Sequence, residues 1–250
     1  MPFQAQNEGQ SAAFGQQHGQ AAAFAPAIDR AQFITRTYLH LFAAILAFAA
    51  LELLWFITPV AQMMLSALSM GRFAWLLFMG AFVGVSMLAN SWAMSDSSRG
   101  KQYLGLGLYT LFESILFVPL IAMAIMAGTG PEADTSILPR AIMITLTLFG
   151  GLTGVVFITR KDFSFMRSAL MFGGFAAMGL ALASVLFGFT LGMAFSYAMI
   201  ALACGYILYD TSNVLRNYRT DQHVAASLAL FAAVMLLFWY VLRILLDRRR

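Results

Sequence analysis

Continuous apolar runs, separated by short polar segments, fill most of the chain after residue 36. An α-helix needs about 20 apolar residues to cross the hydrocarbon core of a bilayer, and each run has approximately this length. The runs cover residues 37–57, 73–93, 103–127, 141–159, 169–189, 191–209 and 224–246. Membrane β-barrels use alternating segments of about ten residues instead. The pattern therefore predicts an all-α fold, a polytopic membrane helical bundle with seven transmembrane helices.

The breaks between the runs predict local features of this bundle. Thr58-Pro59 ends the first run, and the Met-rich segment 60–71 after it has the pattern of an amphipathic helix at the membrane interface. The fifth and sixth runs are nearly contiguous, which predicts a tight helical hairpin with Gly188 and Gly192 near its bend. Small residues at helix-packing spacing predict close helix–helix approach; they are Gly173, Gly174, Ala177 and Gly179.

The first 28 residues differ from the rest of the chain. They are rich in Gln, Ala and Gly, and they contain neither a cationic start nor a sustained apolar core, so they do not resemble a signal peptide. Such a composition offers little apolar surface to offset chain entropy. We therefore expect residues 1–28 to form a disordered cytoplasmic tail and residues 29–250 to form the seven-helix transmembrane domain.

Composition and charge support a membrane class and predict an orientation. Hydrophobic residues make up 61% of the 250 positions and charged residues 10%, whereas soluble domains carry roughly 25% charged residues. The net charge of +4 is attributed to loop cations that set orientation, and no nucleic-acid partner is expected. With seven spans, one face collects Arg30, Arg36, Arg99, Lys101, Arg160, Lys161, Arg167, Arg216 and Arg219. The other face collects Arg72 and Arg140, which predicts a cytoplasmic N-terminus.

The basic C-terminus does not follow this count. Seven spans place Arg248, Arg249 and Arg250 on the opposite side. Either this tail is an exception to the excess of Lys and Arg on the cytoplasmic side, or the seventh run does not cross the membrane fully. The sequence leaves both alternatives open.

Motifs for metal binding and hydrolysis are absent from the sequence. Cys204 is the only cysteine, and His18, His40 and His223 are far apart, without HxxxH or HExxH spacing. The chain also lacks a GxSxG segment and the paired aspartates of an intramembrane protease. We therefore expect no enzyme activity, no metal site and no cofactor.

Acidic residues inside the apolar runs are the candidate functional groups. Ionisable side chains in a membrane span are costly and generally face a bundle interior, a cavity or a partner charge. Asp210 closes the sixth run, about 9 Å before Arg216 along a helix axis. It is interpreted either as a proton- or cation-sensing group or as the partner of Arg243 or Arg216 in an ion pair, at a helix end that Thr211, Ser212 and Asn213 keep wet on one face.

Two further acids lie in the third and first runs. Glu113 lies deeper in the bilayer than Asp210 and is either a second sensing group or a polar packing contact to Ser114, Thr110 or another helix. Glu52 lies near the end of the first run, where exposure at the interface is expected.

Four stretches together resemble the Bax inhibitor-1 family and its bacterial YccA-like branch. The first is Phe157-Ile-Thr-Arg-Lys-Asp-Phe-Ser-Phe-Met166, and the second is Ile207-Leu-Tyr-Asp-Thr-Ser-Asn-Val214. Arg36-Thr-Tyr38 and residues 227–245 of the last run complete the resemblance. It covers about residues 30–246. It implies six helices around a central C-terminal helix and location in a bacterial cytoplasmic (inner) membrane.

The resemblance also implies two kinds of function. Members of the family are described as pH-sensitive calcium leaks, in which two aspartates share a proton and a cation, and the YccA-like branch as modulators of an FtsH-type membrane protease. Asp210 matches the first aspartate, but residues 231–235, where the second is expected, contain no carboxylate.

Two functional hypotheses therefore stand beside each other. The first is a non-enzymatic regulator of an FtsH-type protease, with Arg160, Lys161 and Asp162 as a docking loop; the same charges are also explained as a solvated loop that sets orientation. The second is a proton-sensitive calcium or cation leak that uses Asp210, with Glu113 in place of the missing carboxylate. The lipid bilayer is a partner under both hypotheses.

Overall fold

The computed structural model describes residues 20–95, 98–129 and 133–248, and these residues form eight α-helices and one short 3-10 helix. The helices are α1 Ala27–Ile57, α2 Val60–Ser69, α3 Arg72–Ala93, α4 Arg99–Ala127, α5 Ile137–Thr159, α6 Arg167–Phe187, α7 Met193–Arg216 and α8 His223–Asp247. The 3-10 helix Ser164–Met166 precedes α6. All helices except α2 are long and apolar enough to cross a membrane. The predicted all-α bundle with seven candidate spans is confirmed.

Most helices extend beyond the apolar runs that predicted them. The first helix begins at Ala27 instead of residue 37, and α7 continues through Tyr209 to Arg216. The runs mark the part of each helix that lipid or protein surrounds, whereas backbone hydrogen bonding extends the helix into polar sequence. Because α7 continues, the predicted wet helix end after Asp210 is wrong: Thr211 and Ser212 are fully buried.

The last helix, α8, lies at the centre of the bundle. It packs against α1, α3, α4, α5 and α7. In its membrane-spanning apolar stretch, 61% of the residues are buried, against 6% in the span that contains α6. Its Phe231 ring lies 6.4 Å from that of Phe48 on α1 and 6.1 Å from that of Tyr109 on α4. The 25 residues of α8 give a length of about 38 Å, which is enough for a full crossing. The central C-terminal helix implied by the resemblance is present.

Glycines allow two pairs of helices to approach closely. A Cβ atom on Gly105 of α4 would lie 2.5 Å from the carbonyl oxygen of Ala89 on α3. A Cβ atom on Gly174 of α6 would lie 2.7 Å from the hydroxyl of Tyr206 on α7. The predicted role of Gly174 is therefore confirmed, whereas Gly179 has nothing within 4 Å of such an atom. Gly188, with φ +75°, ends α6 and forms the predicted hairpin bend.

The segment before α1 packs against the loop between α7 and α8. The backbone N–H of Ala22 donates to the carbonyl of Tyr218 at 2.9 Å, and that of Thr220 donates to the carbonyl of Gln20 at 3.0 Å. Ala22 is fully buried, and its neighbour Ala21 forms an isolated β-bridge with Arg219. The described part of the predicted tail, residues 20–28, is therefore ordered. Residues 1–19 lie outside the described residues, and disorder there stays a prediction.

Candidate functional site

A cavity of about 690 Å³ lies between α3, α4, α6, α7 and α8. Glu113, Asp210 and Arg243, all predicted from the sequence as site residues, line it. Trp75 and Asn90, near opposite ends of α3, also line it, so the cavity follows this helix for about 22 Å. Asp210 lies toward the end of the bundle where α1 begins, which we call the N-terminal end. Arg243 lies toward the opposite end.

Asp210 reaches the cavity from α7, six residues before the helix ends at Arg216. Its side chain is only 9% exposed, and within the described part of the chain it makes no hydrogen bond or ion pair. Burial of a carboxylate without a partner is costly, and a proton or a bound cation relieves that cost. Asp210 therefore combines burial, access to a cavity and the lack of a partner.

Glu113 lies midway along α4 and is 5% exposed. Tyr109, one helical turn earlier, lines the same cavity, while Oε2 of Glu113 has no hydrogen-bond partner. The hydroxyl groups of Ser114 and Thr110, two of the predicted alternative contacts of Glu113, bind other groups. Ser114 Oγ accepts a hydrogen bond from Trp55 at 3.0 Å and donates one to the carbonyl of Leu111, and Thr110 donates to the carbonyl of Leu106 at 2.9 Å.

The two arginines predicted as partners of Asp210 bind other groups. Arg243 Nη2 donates to the carbonyl of Leu191 at 2.9 Å, and its Nε lies 4.0 Å from a carboxylate oxygen of Asp247. Arg216 Nη2 donates to the carbonyl of Arg160. The predicted ion pair of Asp210 with either arginine is therefore not formed.

The loop that contains Arg160, Lys161 and Asp162 is tied to the end of α7. Ser212 Oγ accepts a hydrogen bond from the backbone N–H of Phe163 at 3.1 Å and donates one to the carbonyl of Lys161 at 3.4 Å. Arg160, which ends α5 in the left-handed conformation with φ +50°, presents its carbonyl to Arg216. The two stretches that carry the strongest family resemblance thus contact each other at the N-terminal end.

Asp162 stabilises the turn of this loop and lies outside the spans. Its Oδ1 accepts a hydrogen bond from the backbone N–H of Ser164 at 2.8 Å. Hydrogen bonds from the side chain and backbone of Ser164 hold the pKa of Asp162 below its usual value. The side chains of Lys161 and Asp162 are exposed, so both charges are available to a partner.

The position of the missing second carboxylate faces the same cavity. Ala232 and Ala233 on α8 line it together with Asp210. An acid on this part of the central helix would therefore share the cavity with Asp210. In this chain Glu113, from α4, is the second acid of the cavity.

Glu52 is a buried acid whose environment the sequence did not reveal. Interfacial exposure was expected, but Glu52 is 6% exposed and neither carboxylate oxygen has a partner. It lies one helical turn after Phe48, whose ring packs edge-on against Phe117 at 5.1 Å. That spacing of four residues is the only sequence signal that places Glu52 on the packed face of α1.

A cluster of three rings at the N-terminal end also escaped the sequence analysis. The ring of His40 lies 5.0 Å from that of His223 and 5.4 Å from that of Tyr103. His223 is buried, and its Nδ1 has no partner. The cluster joins α1, α4 and α8, and no sequence spacing could indicate it because its members are so far apart along the chain.

Comparisons with known proteins place the chain in a family. The sequence model described as "Inhibitor of apoptosis-promoting Bax1" matches residues 30–250. Bax inhibitor 1 of Schizosaccharomyces pombe is 29% identical over 179 residues, which cover 68% of this chain and 61% of the yeast protein. A BI1-like protein of Arabidopsis thaliana is 32% identical over 111 residues, which cover 42% of this chain and 43% of the plant protein.

Bacterial proteins are also similar to the chain. An uncharacterized protein of Pseudomonas aeruginosa is 28% identical over 164 residues, which cover 65% of this chain and 68% of that protein. The chain covers less than two thirds of the length of the yeast and plant relatives.

The fold and the cavity define a multi-pass helical membrane protein with acidic groups inside its bundle. The chain belongs to the Bax inhibitor-1 family, since the family model matches nearly the whole of it. The family resemblance deduced from the sequence motifs is confirmed.

Proposed function

We propose that the protein is a non-enzymatic, proton-sensitive cation leak whose pathway includes the cavity between α3 and α8. The observation that carries this proposal is that Asp210 and Glu113 line one cavity, each buried and neither paired with a cation among the described residues. The sequence alone favoured protease regulation, and the shared cavity is what changes this preference.

The cavity suits exchange between protons and cations. An ionised carboxylate in a low-dielectric site attracts a cation strongly, and protonation removes that attraction. The other titratable or charged groups that line the cavity are Tyr109, Tyr206, Tyr209, Tyr240 and Arg243. Tyr218, in the loop after α7, also interacts electrostatically with Asp210. Arg243 is held at the opposite end by Leu191 and Asp247, so it leaves both acids available.

Calcium flux into proteoliposomes, measured at several pH values, tests this proposal. We expect flux that depends on pH in the unmodified protein and loses most of this dependence in Asp210→Asn and in Glu113→Gln. Asp29→Asn, a change of an exposed acid at the start of α1, is the matched control and should leave the flux unchanged. Absence of flux, or an unchanged pH profile in both cavity variants, would contradict the proposal.

A second candidate function is regulation of an FtsH-type membrane protease. It is supported by a single surface at the N-terminal end, where segment 20–25, the 160–166 loop and the end of α7 are joined by hydrogen bonds. Lys161 uses only its backbone carbonyl in these contacts, which leaves the side chain for a partner. Co-purification of FtsH should therefore fall in Lys161→Glu without loss of folding. Equal recovery of FtsH with the unmodified protein and with Lys161→Glu would argue against this surface.

We place the protein in a bacterial cytoplasmic membrane with the N-terminal end in the cytoplasm. The excess of Lys and Arg in the loops of that end supports this orientation. In a Cys204→Ser background, a cysteine introduced at Lys161 should be labelled by a membrane-impermeant thiol reagent only after the cells are opened. Labelling in intact cells would reverse the orientation.

A further inference from the structure

The geometry points to a second use of the cavity: it binds a lipophilic organic cation, a single positive charge on an aromatic or branched apolar body. The inference rests on the cavity that the proposed leak also uses, but it concerns equilibrium binding and does not require ion conduction. Size, charge and wall chemistry each support it.

The size of the cavity fits a small organic molecule. Ligand pockets generally measure about 300–1,000 Å³, and this one measures about 690 Å³. Small side chains on the central helix leave room for a ligand, since Ala229, Ala232 and Ala233 form part of the wall. A molecule with several rings therefore fits without displacing the helices.

The unbalanced charge of the cavity is negative. Glu113 and Asp210 are buried without a cationic partner in the described part of the chain. Arg243, the cation of the cavity, is already bound by the carbonyl of Leu191 and lies beside Asp247. A ligand that brings one positive charge offsets the cost of a buried carboxylate, whereas an anion adds to it.

Aromatic rings on three helices line the cavity that contains the two acids. Tyr109 lies on α4, Tyr206 and Tyr209 on α7, and Trp239 and Tyr240 on α8, and all of them line the cavity. A cation over the face of such a ring gains roughly 0.5–2 kcal/mol, with the larger values in desolvated sites. Aromatic walls thus favour an organic cation with a diffuse charge and an apolar surface.

A tightly held metal ion fits this lining less well, whereas a leak needs only transient contact between the ion and the two acids. Calcium takes six to eight oxygen ligands at short distances. Among the described residues, no group of three or more His, Cys, Asp or Glu side chains is placed to hold a metal ion. The apolar and aromatic walls have no function in such a site, whereas they complement the body of an organic cation.

The test uses tetraphenylphosphonium as the probe and the purified protein in detergent. Equilibrium dialysis measures binding directly, and quenching of Trp75 and Trp239, which line the cavity, reports occupancy. We expect saturable binding of one equivalent. Triphenylphosphine oxide, a neutral molecule of similar shape, and tetraphenylborate, the anionic counterpart, should bind at least about tenfold more weakly.

Variants separate a specific site from partition into detergent. Affinity should fall at least about tenfold in the double variant Glu113→Gln, Asp210→Asn and remain unchanged in Asp29→Asn. Ala232→Leu keeps both acids but fills part of the cavity, and it should also weaken binding, which keeps the test valid if the double variant does not fold. Equal affinity for the neutral probe, or unchanged affinity in both cavity variants, would overturn the inference.

Flux measurements separate this inference from the proposed leak. Dialysis involves no ion gradient, so binding of the probe without calcium conduction would support the inference and contradict the proposed leak. Calcium conduction without binding of the probe would contradict the inference alone.

Discussion

Three buried acids in the described part of the bundle have different surroundings. Asp210 and Glu113 face a cavity, whereas both oxygens of Glu52 are enclosed without any partner. A charge enclosed in this way costs several kcal/mol. The surroundings of Glu52 resemble those of a buried amide without hydrogen-bond partners more than those of a residue in a salt bridge.

Glu52→Gln should therefore preserve the fold and increase its stability at alkaline pH. The amide has nearly the same shape as the carboxyl group and cannot ionise, so it avoids the cost of a buried charge. The midpoint of thermal unfolding in detergent, measured at pH 9, should rise by a few degrees relative to the unmodified protein. A lower midpoint would mean that the carboxylate has a cationic partner.

Residue types were easier to predict than their partners. The sequence showed that Asp210 and Glu113 were unusual because acids are rare in apolar runs. It could not show that they share a cavity, or that Arg216 binds the carbonyl of Arg160. These contacts join residues far apart in sequence, and they depend on how each helix is rotated about its own axis.

At the scale of helices, the tightest contacts depend on single glycines. Gly105 lets α4 approach the backbone of α3, where a Cβ would lie 2.5 Å from a carbonyl oxygen, whereas Gly107 on the same helix has open space around it. In lipid, packing rather than the exclusion of water drives helix association. A methyl group at Gly105 must therefore separate two helices.

Gly105→Ala should destabilise the protein, and Gly107→Ala should not. Overpacking of a tight contact costs typically about 1–3 kcal/mol, whereas alanine in an open helical position gains up to about 1 kcal/mol over glycine. Unfolding by a denaturing detergent should show opposite shifts for the two variants. Equal shifts would indicate that the α3–α4 contact relaxes without cost.

Ser212 joins the two stretches that carry the strongest family resemblance. Its hydroxyl bonds to Phe163 and Lys161 of the loop that connects α5 and α6, although Ser212 itself belongs to α7. Removing this group leaves a backbone N–H at a partly buried position without a partner, at a cost of about 1–3 kcal/mol.

Ser212→Ala should consequently loosen the 160–166 loop while the helices stay intact. Hydrogen exchange of peptides from this loop should become faster, and trypsin should cut sooner after Lys161. Ser66→Ala, at an exposed position on α2 whose hydroxyl bonds only within its own helix, should leave the loop unchanged. Unaltered exchange in Ser212→Ala would show that other contacts hold the loop.

For the molecule as a whole, sequence patterns predicted the class and the number of spans, because the apolar runs follow directly from the thickness of a bilayer. They predicted helix ends poorly: α1 begins at Ala27, where polar sequence continues the helix without a hydrophobic signal. The central position of α8 came from the family resemblance, since α5 is about as apolar as α8 and yet far less of it is buried.

This central position should make α8 the most sensitive helix to truncation of large side chains. Phe231 is fully buried between Phe48 and Tyr109, whereas Phe175 on α6 is 71% exposed and faces outward. Phe231→Ala opens a cavity among three helices and should cost about 3–5 kcal/mol, while Phe175→Ala should change stability by less than about 0.5 kcal/mol. Reversible unfolding in mixed micelles measures both. Comparable losses would mean that α6 is covered by protein and that the bundle described here is part of a larger assembly.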